Sequence, residues 1–437
     1  MQRLDTVDWH ELEAGRPGCS ATEIPKVLRR IARADTATPT STLERTQGDL
    51  QDLLLEPGRV TEAGTAALPF LVDLALDPDT VGRPFLLELL ADLAHDGAAD
   101  HPRATAWRQQ WPRLRTLLAD PDPEVRRTAL RFIADRAAAL LERWQQETDP
   151  SVRVPLLLAL GRAAASDGPA AEVRALLDGL LHGDDRVLRV TAVIAAAPLD
   201  PRTPQRALPV LLELLADPAL APEFEKVWYE IDCEYPYDRD DVVSRVVHLL
   251  EQHDPLTAVS FVADLAAAGR RTGDAGLRRC ALDGAWKLLR DRPSPAAAVL
   301  PLAAGLLEDE EDGVRYRAAH LLAVLGRRAA PHADRLAARL DDPGEAEFFD
   351  GTVGDHARWA LTRIGDPRAL PDLVERLVAP YRDMQGRGYC IGDPRQPDVA
   401  DVLTAAARRR RPRRGRRRTA RPARIRDSWS RRRRPRW

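Results

Sequence analysis

Residues Phe224 to Asp241 read FEKVWYEIDCEYPYDRDD, in a chain whose aromatic content is only 5%. Here Trp228, Tyr229, Tyr235 and Tyr237 alternate with Glu230, Asp232, Glu234 and Asp238. Rings stack on guanidinium and ammonium groups and carboxylates pair with them, so this mixture suits a partner segment bearing Arg or Lys. At helical spacing the same rings would also fill a packed face. The segment holds no His and no repeated ligand pattern, so its acids do not point to a metal or an acid/base pair.

Glu345 to His356 (EAEFFDGTVGDH) places Phe348 and Phe349 before two glycines. It reads as a loop inserted on one edge, presenting its phenyl rings or packing them down as a lid. Gly351 and Gly354 do not make a phosphate loop, because no Lys-Ser or Lys-Thr follows. Tyr381 to Pro394 carries Gly386, Gly388 and Gly392 and reads as a further loop; its Cys390 has no His nearby to activate it. The nine histidines are scattered, with no HExxH and no His/Cys ligand spacing, and no Ser lies in a GxSxG elbow. No catalytic residue is nominated, and no metal or cofactor is expected.

These segments interrupt a helical background. The 437 residues exceed one compact core but suit a linear array. Leu, Ala, Arg and Glu dominate, all strong helix formers, while period-two β-branched runs are scarce. The 35 prolines fit many short helices. Cys19, Cys233, Cys280 and Cys390 form no close pair, which suits a reducing, cytoplasmic setting. Met1 to Glu13 lacks an apolar leader core, and no uncharged apolar run reaches spanning length.

The net charge of −2 hides an asymmetry. Residues 408–437 hold 17 arginines and one acid, leaving 48 basic and 66 acidic residues before them, a net of −18. Such a tail would bind nucleic-acid phosphates without sequence preference. Its abrupt onset after Val399 to Ala407, where the helical pattern is still running, is also what a shifted reading frame in GC-rich DNA yields. Nucleic acid is therefore a partner only if the tail is genuine.

Two phrases alternate along the chain. One is an acid, a turn, an aliphatic residue, Arg and an apolar helix: Asp122 to Arg126, Asp149 to Arg153, Asp185 to Arg189 and Asp312 to Arg315. The other is Ala-Leu-Pro with an aliphatic helix behind it, at Ala67, Ala207 and Ala369, with Val299-Leu300-Pro301 as a variant. Asp is expected to cap the first helix, and Pro to open the second. Repeats of two helices at a spacing near 40 residues imply a solenoid.

This Asp…Val-Arg…Ala…Leu-Gly pattern resembles the HEAT-repeat family, including the HEAT-like repeats of bilin-lyase-related proteins, over roughly residues 60–380. Ala63 to Leu76 is similar to the opening repeat of HEAT proteins common in actinobacteria. The resemblance implies an all-α solenoid in which Arg126, Arg153, Arg189 and Arg315 ladder to loop acids of neighbouring units. The expected layout is an N-terminal helical cap and linker over 1–59, a repeat body over 60–407 and the Arg-rich tail over 408–437. Within the cap, 24–31 reads as an amphipathic helix and the Thr-rich 34–48 as loop. The expected function is a non-catalytic scaffold binding a protein partner, basic in character given the acidic body. The alternatives are a nucleic-acid-associated protein acting through the tail, and an enzyme of the HEAT-like lyase type.

Overall fold

A computed structural model describes residues 2–15, 18–56, 59–94, 102–133, 137–167, 169–227, 238–291, 294–345 and 351–369. The chain is an all-α solenoid of stacked helix pairs. Two helices open it, α1 (Ile24–Ala32) and α2 (Thr40–Leu54). The pairs then follow. They are α3 (Glu62–Leu76) with α4 (Arg83–Ala94), and α5 (Pro102–Leu114) with α6 (Pro123–Ile133). Next come α7 (Ala137–Gln146) with α8 (Pro150–Asp167), and α9 (Ala170–Leu181) with α10 (Arg186–Ala196). A broken unit holds α11 (Thr203–Arg206), α12 (Leu208–Leu215), α13 (Ala221–Val227) and α14 (Arg239–Glu251). The last pairs are α15 (Pro255–Thr272) with α16 (Ala275–Asp291), α17 (Ala296–Leu306) with α18 (Asp312–Leu325), and α19 (Ala333–Ala337) with α20 (Val353–Ile364).

The second helices form one continuous row. Each of α4, α6, α8, α10, α14, α16, α18 and α20 packs on the next. Close approach within it needs small residues. At Gly161 of α8 an added Cβ would lie 1.9 Å from the Ala195 carbonyl oxygen of α10, so no side chain fits without separating the helices. Gly161→Ala is expected to cost roughly 1–3 kcal/mol by overpacking, measured by denaturant unfolding. A change below a few tenths would show that the α8–α10 contact relaxes freely.

The expected Asp cap holds at Asp185 but not at Asp312, because α18 begins at Asp312 and Glu311 caps it, accepting from the Val314 N–H at 2.9 Å. Asp185, Asp238 and Asp254 accept backbone N–H bonds at the starts of α10, α14 and α15. Two other local expectations fail. Residues 34–48 are not loop throughout, because α2 begins at Thr40. Burial of Leu50, Leu53 and Leu54 secures it, and the Thr46 hydroxyl donates to the Thr42 carbonyl 2.8 Å away, satisfying a β-branched residue inside the helix. Pro69 and Pro301 do not open their helices but lie inside α3 and α17. Thr61 already caps α3 through the Gly64 N–H, so the helix starts before the proline.

An arginine ladder runs along the stack. Arg126 donates to the Asp120 and Pro121 carbonyls of its own turn (2.8 and 3.0 Å), then to both oxygens of Glu147 ahead of the next second helix (2.8 and 3.1 Å). Arg315 repeats this geometry on the Asp309 and Glu310 carbonyls (2.9 and 3.0 Å) and on Asp342 (2.8 and 3.1 Å). The other two expected rungs differ. Arg153 lies 4.5 Å over the Trp144 ring, which takes the place of an acid. Arg189 donates to the Leu181 carbonyl at the end of α9. In that unit Arg186 makes the rung instead, to Asp217. Arg83 to Asp120, Arg239 to Asp274 and Arg278 to Asp309 complete the series. Arg83 and Arg278 also donate to carbonyls ending α3 and α15, where a cation suits the helix dipole.

Candidate functional site

The row α14–α16–α18 carries a polar strip. Asp240 and Ser244 stand one turn apart on α14, Cys280, Asp283 and Lys287 at turn spacing on α16, and Arg317 on α18. Gly284 lets the helices meet: a Cβ there would lie 3.0 Å from Val262 and 3.3 Å from Val247. The strip spans two repeat steps, so residues far apart in sequence share one surface.

Arg317 Nε donates to both oxygens of Asp283, at 2.8 and 2.9 Å. Lys287 donates to the Ser244 hydroxyl. The Cys280 thiol is buried close to Asp240. Arg279 pairs with Glu311 at 3.0 Å. Burial pushes the Asp283 carboxyl up to about 6 despite Arg317. Burial, with Asp238 nearby, also raises Asp240. Yet Asp240 reaches solvent and Asp283 is only half-buried. A carboxylate whose ionised form is disfavoured gains from a cation placed beside it. Burial and the nearby Asp240 hold the Cys280 thiol well above its usual range, so it stays protonated and is not a nucleophile.

The described ends of the aromatic–acidic segment adjoin this strip. α13 packs on α8 and α14, both of the second-helix row, and its Phe224 is fully buried. The segment thus departs from a helix seated on this row and ends where α14 begins. Trp228, Tyr229, Asp232, Glu234, Tyr235 and Tyr237 themselves lie outside the described residues, as do Phe348, Phe349, the loop of 381–394 and the tail of 408–437. Asp238 is described, and it serves its own helix, accepting from the Asp240 and Asp241 N–H groups at 2.8 and 3.0 Å.

Sequence spacing did not reveal Asp240, Asp283 or Arg317 as one group, because only stacking unites them. The same holds for His320 of α18 and His356 of α20, whose Nδ1 atoms are 3.4 Å apart beside Tyr316 and Trp359. Both are buried, and burial holds both below the usual imidazole range, His356 at about 4. They form a neutral pair inside the core. Among the described residues no group of three or more His, Cys, Asp or Glu is placed to hold a metal ion, and no helix is long and apolar enough to cross a membrane.

No family model matches the chain, and no curated protein matches it. Solved structures with similar folds include an engineered protein, 18% identical, with 88% of this chain covering 97% of that one at a TM-score of 0.35. Kap121p bound to Pho4p is 14% identical, with 82% of this chain covering 38% of that one at a TM-score of 0.46. Importin beta is 13% identical, with 88% of this chain covering 45% of that one at a TM-score of 0.36. The chain spans less than half the length of these Kap121p and importin beta chains.

Proposed function

We propose that this helical solenoid is a cytoplasmic, non-catalytic scaffold that binds a basic segment of a protein partner along α14 and α16, with Trp228, Tyr229, Tyr235 and Tyr237 contributing to binding. The observation that carries this reading is the pair of solvent-reaching carboxylates, Asp240 of α14 and Asp283 of α16, on adjacent helices of the second-helix row. A Lys or Arg docking on this strip would pair with the exposed Asp240 carboxylate. The aromatic rings of the neighbouring segment supply flat faces for the same cations. The net charge of −18 before residue 408 favours fast encounter with a basic partner.

The test is affinity capture from nuclease-treated lysate with the full chain, followed by titration of the captured partner's basic peptide against variants. Asp240→Asn and the triple change of Trp228, Tyr235 and Tyr237 to Ala are each expected to weaken binding about tenfold or more. Binding should strengthen as pH rises through the range where Asp240 ionises, which its raised value moves above the ordinary Asp range. Equal affinity for wild type and both variants would remove the site from this face.

A further inference from the structure

A cleft sits beside α1, toward the other end of the stack. Lys26, Arg29, Arg30 and Arg33 of α1 and its C-cap, with Ala34 and Thr38, line a cleft of about 450 Å³. Lys26, Arg30 and Arg33 recur at i, i+4 and i+7, so one face of the helix carries three cations about a turn apart. Lys26 and Arg29 are engaged by exposed acids, Glu23 at 2.9 Å and Asp5 at 2.6 Å. Arg30 and Arg33 make no ion pair with any described residue, and both are exposed. Cations in the last turn favour the α1 dipole, which explains one charge there but not four around a cleft.

The lining decides the class of ligand. A protein partner would want an apolar anchor, and a nucleobase would want a ring to stack on. The cleft offers neither, only the Ala34 methyl and the Thr38 hydroxyl beside four cations. Guanidinium forks match phosphate oxygens two at a time. The surrounding body is acidic overall, which opposes a long polyanion but not a compact one. We propose that this cleft binds a free oligophosphate anion, pyrophosphate or longer, held chiefly by Arg30 and Arg33. It is a site separate from the α14–α16 strip and does not depend on the scaffold reading.

Inorganic tripolyphosphate titrated into the full chain, with calorimetry and hydrogen exchange read together, tests it. Protection is expected in peptides covering residues 24–38, and Arg30→Ala/Arg33→Ala should remove one equivalent of bound anion together with that protection. Arg30→Lys/Arg33→Lys should keep the equivalent and bind about tenfold more weakly, through loss of the bidentate contacts. Both residues are exposed, so the fold should persist in each variant, checked by an unchanged helical spectrum. Binding to residues 408–437 would survive in every variant and so is told apart. An unchanged isotherm in the double Ala variant would overturn the proposal. So would protection of 24–38 by vesicles carrying phosphorylated headgroups but not by tripolyphosphate, which would assign the cleft to a membrane surface.

Discussion

Glu147→Ala is expected to destabilise the α6–α8 region by about 3–5 kcal/mol, far more than removal of a surface charge. Glu147 is 4% exposed and accepts six hydrogen bonds. Two come from Arg126, two from Arg143 (3.1 and 2.8 Å) and two from the Thr148 and Asp149 N–H groups (3.1 and 3.0 Å). Burial alone would raise its carboxyl, but Arg126, the Asp149 N–H and Arg143 together bring it down to about 2. Removing it strands the Arg126 guanidinium beside a turn that supplies only carbonyls. The Arg126→Met/Glu147→Leu double variant should cost less than the single one, because no buried charge is left behind. Stability contributed by Glu147 is present above pH 4.5 and lost as pH falls toward 2, the direction set by a lowered folded value. In a solenoid the loss is local, so hydrogen exchange of amides in α6 to α8 is the measurement. Protection unchanged in Glu147→Ala would falsify the ladder as a stabilising device.

The ladder also shows where sequence reading stops. The phrase Asp-Pro-Glu-Val-Arg marks the start of α6 and the arginine that reaches ahead, because cap, proline and apolar period all act within one turn. The phrase Asp185-Arg-Val-Leu-Arg189 offers two arginines, and nothing local says that Arg186 and not Arg189 faces Asp217. That choice is made by the neighbouring unit. Arg153 carries the same phrase and meets an indole, since Trp144 belongs to the preceding helix. Pro69 misleads for a related reason: an N–H lost inside a helix is tolerable once Thr61 has capped the start and Leu68 and Leu71 are buried beside it. Architecture is readable because it rests on local signals repeated many times. The strip of Asp240, Asp283 and Arg317 rests on contacts between units, and periodicity is blind to them.

The His320–His356 pair is such an inter-unit contact, and acid is expected to loosen α18 from α20 through it. Both imidazoles are neutral in the fold, at 2% and 0% exposure. Burial holds His356 at about 4 against an ordinary value of 6.5, with Asp355 pulling only weakly the other way. His320 is likewise held well below the usual imidazole range, by burial and by His356 itself. Between pH 4 and 6.5 the unfolded chain binds protons that the folded core refuses, so this stabilisation is complete above 6.5 and lost as pH falls toward 4. For His356 alone the loss is on the order of 3 kcal/mol. Asp283 acts oppositely in an overlapping window. Its value, raised from 3.8 to about 6, means that stability from its protonated form is lost as pH rises between those limits. The bulk profile of wild type therefore conceals both, and a difference measurement separates them. His320→Phe/His356→Phe keeps aromatic volume beside Tyr316 and Trp359 and should flatten the acid-side loss of protection in α18 and α20. Asp283→Asn should steepen the fall in global stability on acidification by removing the opposing contribution. If α18 and α20 exchange equally fast at pH 4.5 and 7 after correction for intrinsic rates, the buried pair is not what acid attacks at this end of the stack.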